Sequence, residues 1–261
     1  MPKITLKTDQ EIKIMADGGK KLGEILDEVL AKVGPGLNTL AIDSWIEDGI
    51  VKAGGKPAFK LVPHYHWASC VGINEEVVHS IPKKNKIIKE GDLLKVDLGM
   101  LWQGLNTDLS WTIPVGEITV YKEQSKFLKA GEKALSEAIK AAQPGNRVGQ
   151  ISRAIQTVIE GAGFQPVEVL TGHGIGRKLH EEPLIPGVVR GPISKTPLLK
   201  PGMTLAIEVI YGQGSGEVVL ETDGWTISTK DGKISGLFEK TIAVTKSGPL
   251  VLTPVRGSFV C

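Results

Sequence analysis

Eight positions recur along this chain at a single offset of 109 residues. Pro35, Gly36, Ile42, Ile46, Ile50, Ala53, Gly54 and Pro57 return as Pro144, Gly145, Ile151, Ile155, Ile159, Ala162, Gly163 and Pro166. Helix packing alone generates the isoleucine spacing, but hardly the Pro-Gly and Ala-Gly stops together with it. The offset therefore predicts duplicated helix-helix-sheet halves, at approximately 8–115 and 119–245, within one body.

Each half opens on helices. Thr8 and Glu11 form a capping box, and Ile12, Leu22, Ile25, Leu26, Val29, Leu30 and Val33 follow at helical spacing up to the Gly34-Pro35-Gly36 stop. A second helix is predicted from Thr39 as cap to Gly54-Gly55, a third from about Thr119 to Ala142, and a fourth from about Val148 to Gly161. Later segments read as strands: Val167 to Leu170 leading into a glycine-rich turn that holds His173, then Met203 to Tyr211, Glu217 to Glu221 and Gly236 to Thr245. Helices on one face of a curved, largely antiparallel sheet, built twice, form a single α+β body with its cleft between the halves.

Against that frame five polar residues need a reason. Leu93 to Ser110 reads as two apolar strands around a Trp102-Gln103-Gly104 turn, with Asp97 on one arm and Asp108 on the other. Glu208 interrupts the apolar run Leu205 to Ile210, Glu239 follows Leu237-Phe238, and His173 sits between glycines. Buried unpaired acids are costly, so a cation, a shared proton or a metal ion must compensate them. Taken singly, a strand acid is more often an edge residue or a salt-bridged core group, with Asp97 paired to a lysine or Glu239 turned outward beside Lys240. Taken together, four carboxylates and one imidazole suit two neighbouring divalent ions of the Mn, Fe, Co or Zn class.

Composition narrows the classes. The 261 residues are 41% hydrophobic with a formal charge of +2, enough for a sizeable core and too little charge for a chain that lives on nucleic acid or anionic membrane. Lys83, Lys84, Lys86 and Lys89 form a local basic run without interleaved aromatics, read as a solvated loop. No segment has signal-peptide character or membrane-spanning length, and Cys70 and Cys261 build neither a disulfide framework nor a zinc-type pair. A cytoplasmic protein without specific DNA or membrane partners, acting as a monomer, is expected. Gly172 to Gly176 is followed by no βαβ unit, which argues against nucleotide binding.

Several blocks carry a family likeness along nearly the whole chain. They are Cys70 to Pro82 with His79, Val96-Asp97-Leu98-Gly99, Asn106-Thr107-Asp108, Thr171 to Pro183 with His173 and His180, Pro201 to Glu208, Asp223-Gly224-Trp225-Thr226, and Phe238-Glu239-Lys240-Thr241. In order and spacing they resemble the type I methionine aminopeptidases of the pita-bread (creatinase/aminopeptidase) metallopeptidase family. The resemblance implies the pita-bread fold and one catalytic domain, 1–261. It makes Asp97, Asp108, His173, Glu208 and Glu239 ligands of two divalent metal ions (Co, Mn, Fe or Zn), with Asp108 and Glu239 bridging. It implies removal of the initiator methionine before a small second residue by a metal-bridging hydroxide, with Glu208 also shuttling a proton. His79 and His180 would position the scissile amide and stabilise charge on its oxygen. Tyr65, Cys70 and Trp225 would line the methionine pocket, with Phe59 and Leu179 as neighbours. The partners implied are nascent polypeptide N-termini, with transient ribosome association; the sequence leaves open whether the Lys83 to Lys89 loop takes part.

The sequence departs from the pattern along Val62-Pro63-His64-Tyr65-His66-Trp67-Ala68-Ser69, usually of Gly-Tyr-His-Gly-Phe-Pro type, at Phe59, often cysteine, at Leu179, usually phenylalanine, at Val209, usually proline, and at Lys240, commonly histidine. Only 30 residues separate Glu208 from Glu239, too few for the helical insertion of type II enzymes. Competing readings are a proline-directed relative sharing fold and ligands, and a non-catalytic pita-bread module that binds peptides, histones or RNA.

Overall fold

The computed structural model describes residues 4–116 and 122–255; the expected start of the third helix at Thr119, and Cys261, lie outside them. Helix α1 spans Asp9–Leu30, and its amino end is closed by the reciprocal Thr8–Glu11 capping box. It stops before the Gly-Pro-Gly signal. Lys32 N–H and Val33 N–H donate to the carbonyls three residues back, at 3.0 and 3.2 Å, which tightens the last turn and ends the α-helix early. Helix α2 runs Thr39–Lys52. Its cap is Asn38, not Thr39: the extended Asn38 accepts the Ala41 N–H at 3.0 Å, while the Thr39 hydroxyl is committed to the backbone of Lys83.

Strands β1 (Lys56–Pro57), β2 (Ser69–Ile73), β3 (Glu76–Val78), β4 (Leu93–Trp102) and β5 (Leu105–Pro114) follow, then helices α3 (Lys122–Ala141) and α4 (Val148–Gly161). Next come β6 (Gln165–Pro166), β7 (Thr171–Gly174), β8 (Glu181–Pro186), β9 (Thr204–Gly212), β10 (Val218–Leu220), β11 (Ile227–Thr229), β12 (Ser235–Thr245) and β13 (Gly248–Val251). The bounds of α2 and α4 differ by the offset of 109, as do those of β1 and β6. One strand expectation fails. Val167 to Leu170 is irregular, with Val169 70% exposed, and the strand begins at Thr171, so His173 lies on β7 and not in a turn.

An open antiparallel sheet runs in the order β1-β4-β5-β12-β9-β7-β8, with β2, β6 and β13 added to β4, β9 and β12, and a smaller sheet joins β10, β11 and β3. Gln103 and Gly104, both at positive φ, make the two-residue turn that joins β4 to β5. Successive strand residues alternate faces. Leu94, Val96, Leu98 and Met100, Leu109, Trp111 and Ile113, Ile207, Val209 and Tyr211, and Phe238 and Ile242 all enter the main core beneath the helices. α1 lies over β4 and β5, and α3 over β12 and β9. The alternate positions of the same strands face the opposite side, and they include all four acids of interest. No helix of the described residues is long and apolar enough to cross a membrane.

Helix α3 reaches the sheet closely at Gly131, where an added Cβ would lie 2.4 Å from the Phe238 ring and 2.6 Å from the Tyr211 hydroxyl. That hydroxyl is already fixed by its 2.7 Å hydrogen bond to the Phe127 carbonyl. Gly131→Ala gains about 1 kcal/mol of helix propensity. Overpacking against a buried ring beside Glu239 costs about 1–3 kcal/mol and wins. A lower urea midpoint for Gly131→Ala is therefore expected; a raised midpoint would show that the ring yields.

Candidate active site

Sheet register places the five polar residues in two adjacent rows on the helix-free face. In one row Asp97 faces Ser110, Ser110 faces Glu239, and Glu239 faces Glu208. In the next, Gly99 faces Asp108, Thr241 faces Ala206, and Ala206 faces His173. The Thr241 hydroxyl completes the second row, accepting the Asp108 N–H at 2.9 Å and donating to the Asp108 carbonyl at 2.8 Å. The acids thus stand two residues apart along strands and one strand apart across them, within reach of a common centre.

Ligand-capable atoms of Asp108, His173 and Glu239 lie within 4.8 Å of one another, and His173 Nε2 is 3.5 Å from Glu208 Oε1. Asp97 joins them around the same cavity. Burial and the neighbouring carboxylates push Asp97, Glu208 and Glu239 well above the ordinary acid range; Asp108 is raised by burial to about 7 although the Leu109 N–H opposes it. Asp97 Oδ1 and Glu239 Oε1 are buried with no hydrogen-bond partner. Among the described residues no lysine or arginine forms an ion pair with any of the four acids.

Lys95, two residues from Asp97, donates instead to the carbonyls of Asn74 at 2.8 Å and Ser235 at 3.2 Å. Lys240 turns to the helix face and lies over the Trp111 ring at 5.2 Å, so its ammonium is directed away from the acids. His173 Nδ1–H donates to the Gly174 carbonyl at 2.8 Å, which leaves the Nε2 lone pair on the acid side. Burial and His180 lower the His173 imidazole to about pKa 3, so it is neutral. Orphaned carboxylate oxygens, a neutral imidazole and no internal counter-charge form a donor set that fits divalent cations.

The acids close one end of a cavity of about 130 Å³. Engineered apolar cavities of about 150 Å³ accept benzene, so this one has room for a single slender side chain. Its other walls are Phe59, Val62, Tyr65, Cys70, Val78, His79, Leu179, His180 and Trp225. Every sequence-predicted site residue is therefore brought together. Val62 and Val78 were not anticipated; Val78 precedes His79 directly and was readable as a neighbour, whereas Val62 carried no signal. Tyr65 sits edge-on to Phe59 and Trp225, with centroids 6.4 and 5.0 Å away, and its hydroxyl donates to the Ser69 carbonyl at 2.8 Å. Cys70 touches that hydroxyl at 3.2 Å, and burial raises its thiol well above normal, so it is an uncharged wall.

His79 occupies the left-handed region at φ 55, a conformation that costs about 1–3 kcal/mol outside glycine and directs its imidazole into the cavity. The His79 and His180 imidazoles both keep an exposed edge, yet desolvation against the cavity lowers them, His79 also through His180. Asp223 fixes Trp225 by accepting the N–H groups of Trp225 and Thr226 at 3.1 and 2.9 Å and the Lys83 ammonium at 2.9 Å. Lys86 is likewise drawn to Glu76 at 2.6 Å, so two of the four lysines in the basic run hold the fold.

Comparison with known proteins places these residues in context. A model of metallopeptidase family M24 matches residues 13–246. Methionine aminopeptidase 1 of Bacillus subtilis is 40% identical over 252 residues, covering 97% of this chain and 100% of that protein. The crystal structure of a methionine aminopeptidase from Thermotoga maritima is similar with a TM-score of 0.92 at 39% identity, covering 96% of this chain and 99% of that one. A prolidase from Pyrococcus furiosus, 22% identical with a TM-score of 0.78, shares the fold over 97% of this chain and 66% of its own.

The raised carboxyls hold protons that a cation must displace. Burial raises Asp108 to about 7, and burial with like charge raises the other three acids above their ordinary range. Binding of Mn²⁺ to the metal-free protein should therefore release protons and strengthen as pH rises from 6 to 8. Calorimetric titration in buffers of different ionisation enthalpy reads both; binding without proton release would contradict the assignment of these acids.

Proposed function

The chain belongs to metallopeptidase family M24, as one of the methionine aminopeptidases, and from that premise we propose that it removes the amino-terminal methionine from nascent proteins and peptides whose second residue is small. One observation carries this reading: a slender cavity walled by aromatic rings and a thiol ends directly on four carboxylates, Asp108 and Glu239 buried and Asp97 and Glu208 half-buried, and an imidazole. Methionine is unbranched and polarisable, and soft or aromatic walls suit its thioether. Asp97, Asp108, His173, Glu208 and Glu239 would hold two divalent ions, Asp108 and Glu239 shared between them and Asp97 serving one. Such ions, of the Co, Mn, Fe or Zn class, supply Lewis acidity and lower the pKa of nearby water.

The protein's own groups do the rest. Tyr65, Cys70 and Trp225, with Phe59 and Leu179, exclude water around the methionine side chain. Glu208, on the strand beside Glu239, would take a proton from the attacking water and pass it to the departing amine. His79 and His180, whose imidazoles desolvation in the cavity lowers, donate N–H groups to the scissile amide and stabilise charge developing on its oxygen.

The recurrence of α2 and β1 as α4 and β6 supports a single catalytic body of two halves that meet at this cleft. A cytoplasmic setting, where new chains emerge, fits this role, with the exposed Lys84 and Lys89 left for transient ribosome contact.

Metal-reconstituted protein should release methionine from Met-Ala-Ser in preference to cleaving Xaa-Pro peptides; the reverse preference would make it a proline-directed enzyme, and peptide binding without cleavage a recognition module. His79→Ala and His180→Ala should each lower kcat by about 100- to 1000-fold with bound metal near the wild-type level. Metal loss in proportion to activity would make these histidines ligands.

A further inference from the structure

An ion pair that belongs neither to the ligand set nor to the cavity wall lies beneath the loop that carries Leu179 and His180. Lys7, in the segment before α1, meets Glu181 at 2.5 Å, and the two side chains are only 1% and 9% exposed. Enclosing such a pair costs several kcal/mol of desolvation per ion, and an apolar pair of similar volume would stabilise the fold as well or better. Stability therefore does not account for it. Geometry does.

Glu181 directly follows His180. One of its oxygens takes the Lys7 ammonium and the other accepts the Lys178 N–H at 3.0 Å, so a single carboxylate closes the loop on itself and fastens it to the amino-terminal segment. The Lys7 backbone is itself fixed, its N–H donating to the Gly202 carbonyl at 2.7 Å just before β9, the strand of Glu208. At the start of the loop Asn106 grips the Gly176 carbonyl with its backbone N–H at 2.7 Å and its side-chain amide at 2.9 Å. Gly176 lies so near Lys7 that an added Cβ would fall 2.1 Å from Lys7 Cε. A second tie joins Arg177 to Glu11 in the first turn of α1. The loop from Ile175 to Glu181 is thus held from both ends and from below.

We propose that Lys7 is a positioning residue for methionine release: through Glu181 it fixes the loop of residues 175–181, and with it the placement of the His180 imidazole and the Leu179 wall against the metal ligands. This rests on the roles given above to His180 and Leu179.

The test uses the full chain. In Lys7→Met, kcat/KM on Met-Ala-Ser should fall by about ten- to a hundredfold, as expected when a reacting group is misplaced by about 1 Å, with bound metal unchanged. Because Lys7 acts through His180, Lys7→Met should lower kcat by no more than about threefold in a His180→Ala background. Hydrogen exchange of the metal-free protein supplies a readout independent of catalysis: amides of 175–181 should exchange at least about tenfold faster in Lys7→Met, while those of α3 and β12 are unchanged. Glu181→Gln, close to isosteric, should reproduce the effect if Lys7→Met does not fold. A variant within threefold of wild type, an equal loss with and without His180, or unaltered exchange in the loop would each overturn the proposal. Wild-type protein that releases no methionine would instead overturn the functional reading, and the exchange measurement would still decide whether Lys7 holds the loop.

Discussion

Four carboxyl groups confined to one buried face of a sheet repel one another, and the site is arranged around that repulsion. No internal ion pair relieves it among the described residues, and two of the oxygens have no hydrogen-bond partner. Protons relieve it in the metal-free protein, where burial and like charge raise the carboxyls. Divalent ions relieve it more completely, and His173 is made neutral and tautomerically fixed to assist them. A cluster this unfavourable persists only on a rigid support. The opposite face of the same strands supplies it, because Val96, Leu98, Leu109, Ile207 and Phe238 seal the sheet to the helices.

Period-two alternation made much of this readable in advance. Each acid interrupts an apolar run at a position whose neighbours lie in the core, so the side occupied by Asp97, Asp108, Glu208 and Glu239 was fixed once the strands were. The offset of 109 likewise related α2 to α4, because helix stops at Pro-Gly and Ala-Gly depend on local chemistry. Register across strands was not readable: nothing local tells that Ser110 falls opposite Glu239 or that the Thr241 hydroxyl secures Asp108. The tie between Lys7 and Glu181 spans 174 residues and leaves no periodic trace. Asn38 displaced Thr39 as a cap because a distant loop claimed the threonine hydroxyl, and Val167 to Leu170, apolar enough for a strand, remained irregular. Val62 entered the cavity for a reason of shape alone.

The departures from the type I pattern resolve into two kinds. Lys240 is directed away from the acids, since strand alternation sends it to the helix face over Trp111 while Glu239 faces the acids. Val209 also belongs to the helix face, in the core. Phe59 and Leu179, in contrast, both line the cavity, where they set its width together with Tyr65 and Trp225. The acid end of the cavity therefore carries neither change, and the two that line the cavity lie at the end that would select the side chain. The backbone of His79, held in a left-handed conformation, shows that part of the folding free energy is spent on aiming a side chain at the junction between the two.

The number of divalent ions retained per chain tests the centre most directly. Equilibrium dialysis of metal-free protein against Mn²⁺ should give two ions for wild type, one for Asp97→Asn, which loses the ligand of a single position, and fewer than one for Asp108→Asn, which loses the carboxylate shared by both. Full retention of two ions by Asp108→Asn, or fewer than two in the wild type at saturation, would contradict a two-ion site built on these five side chains.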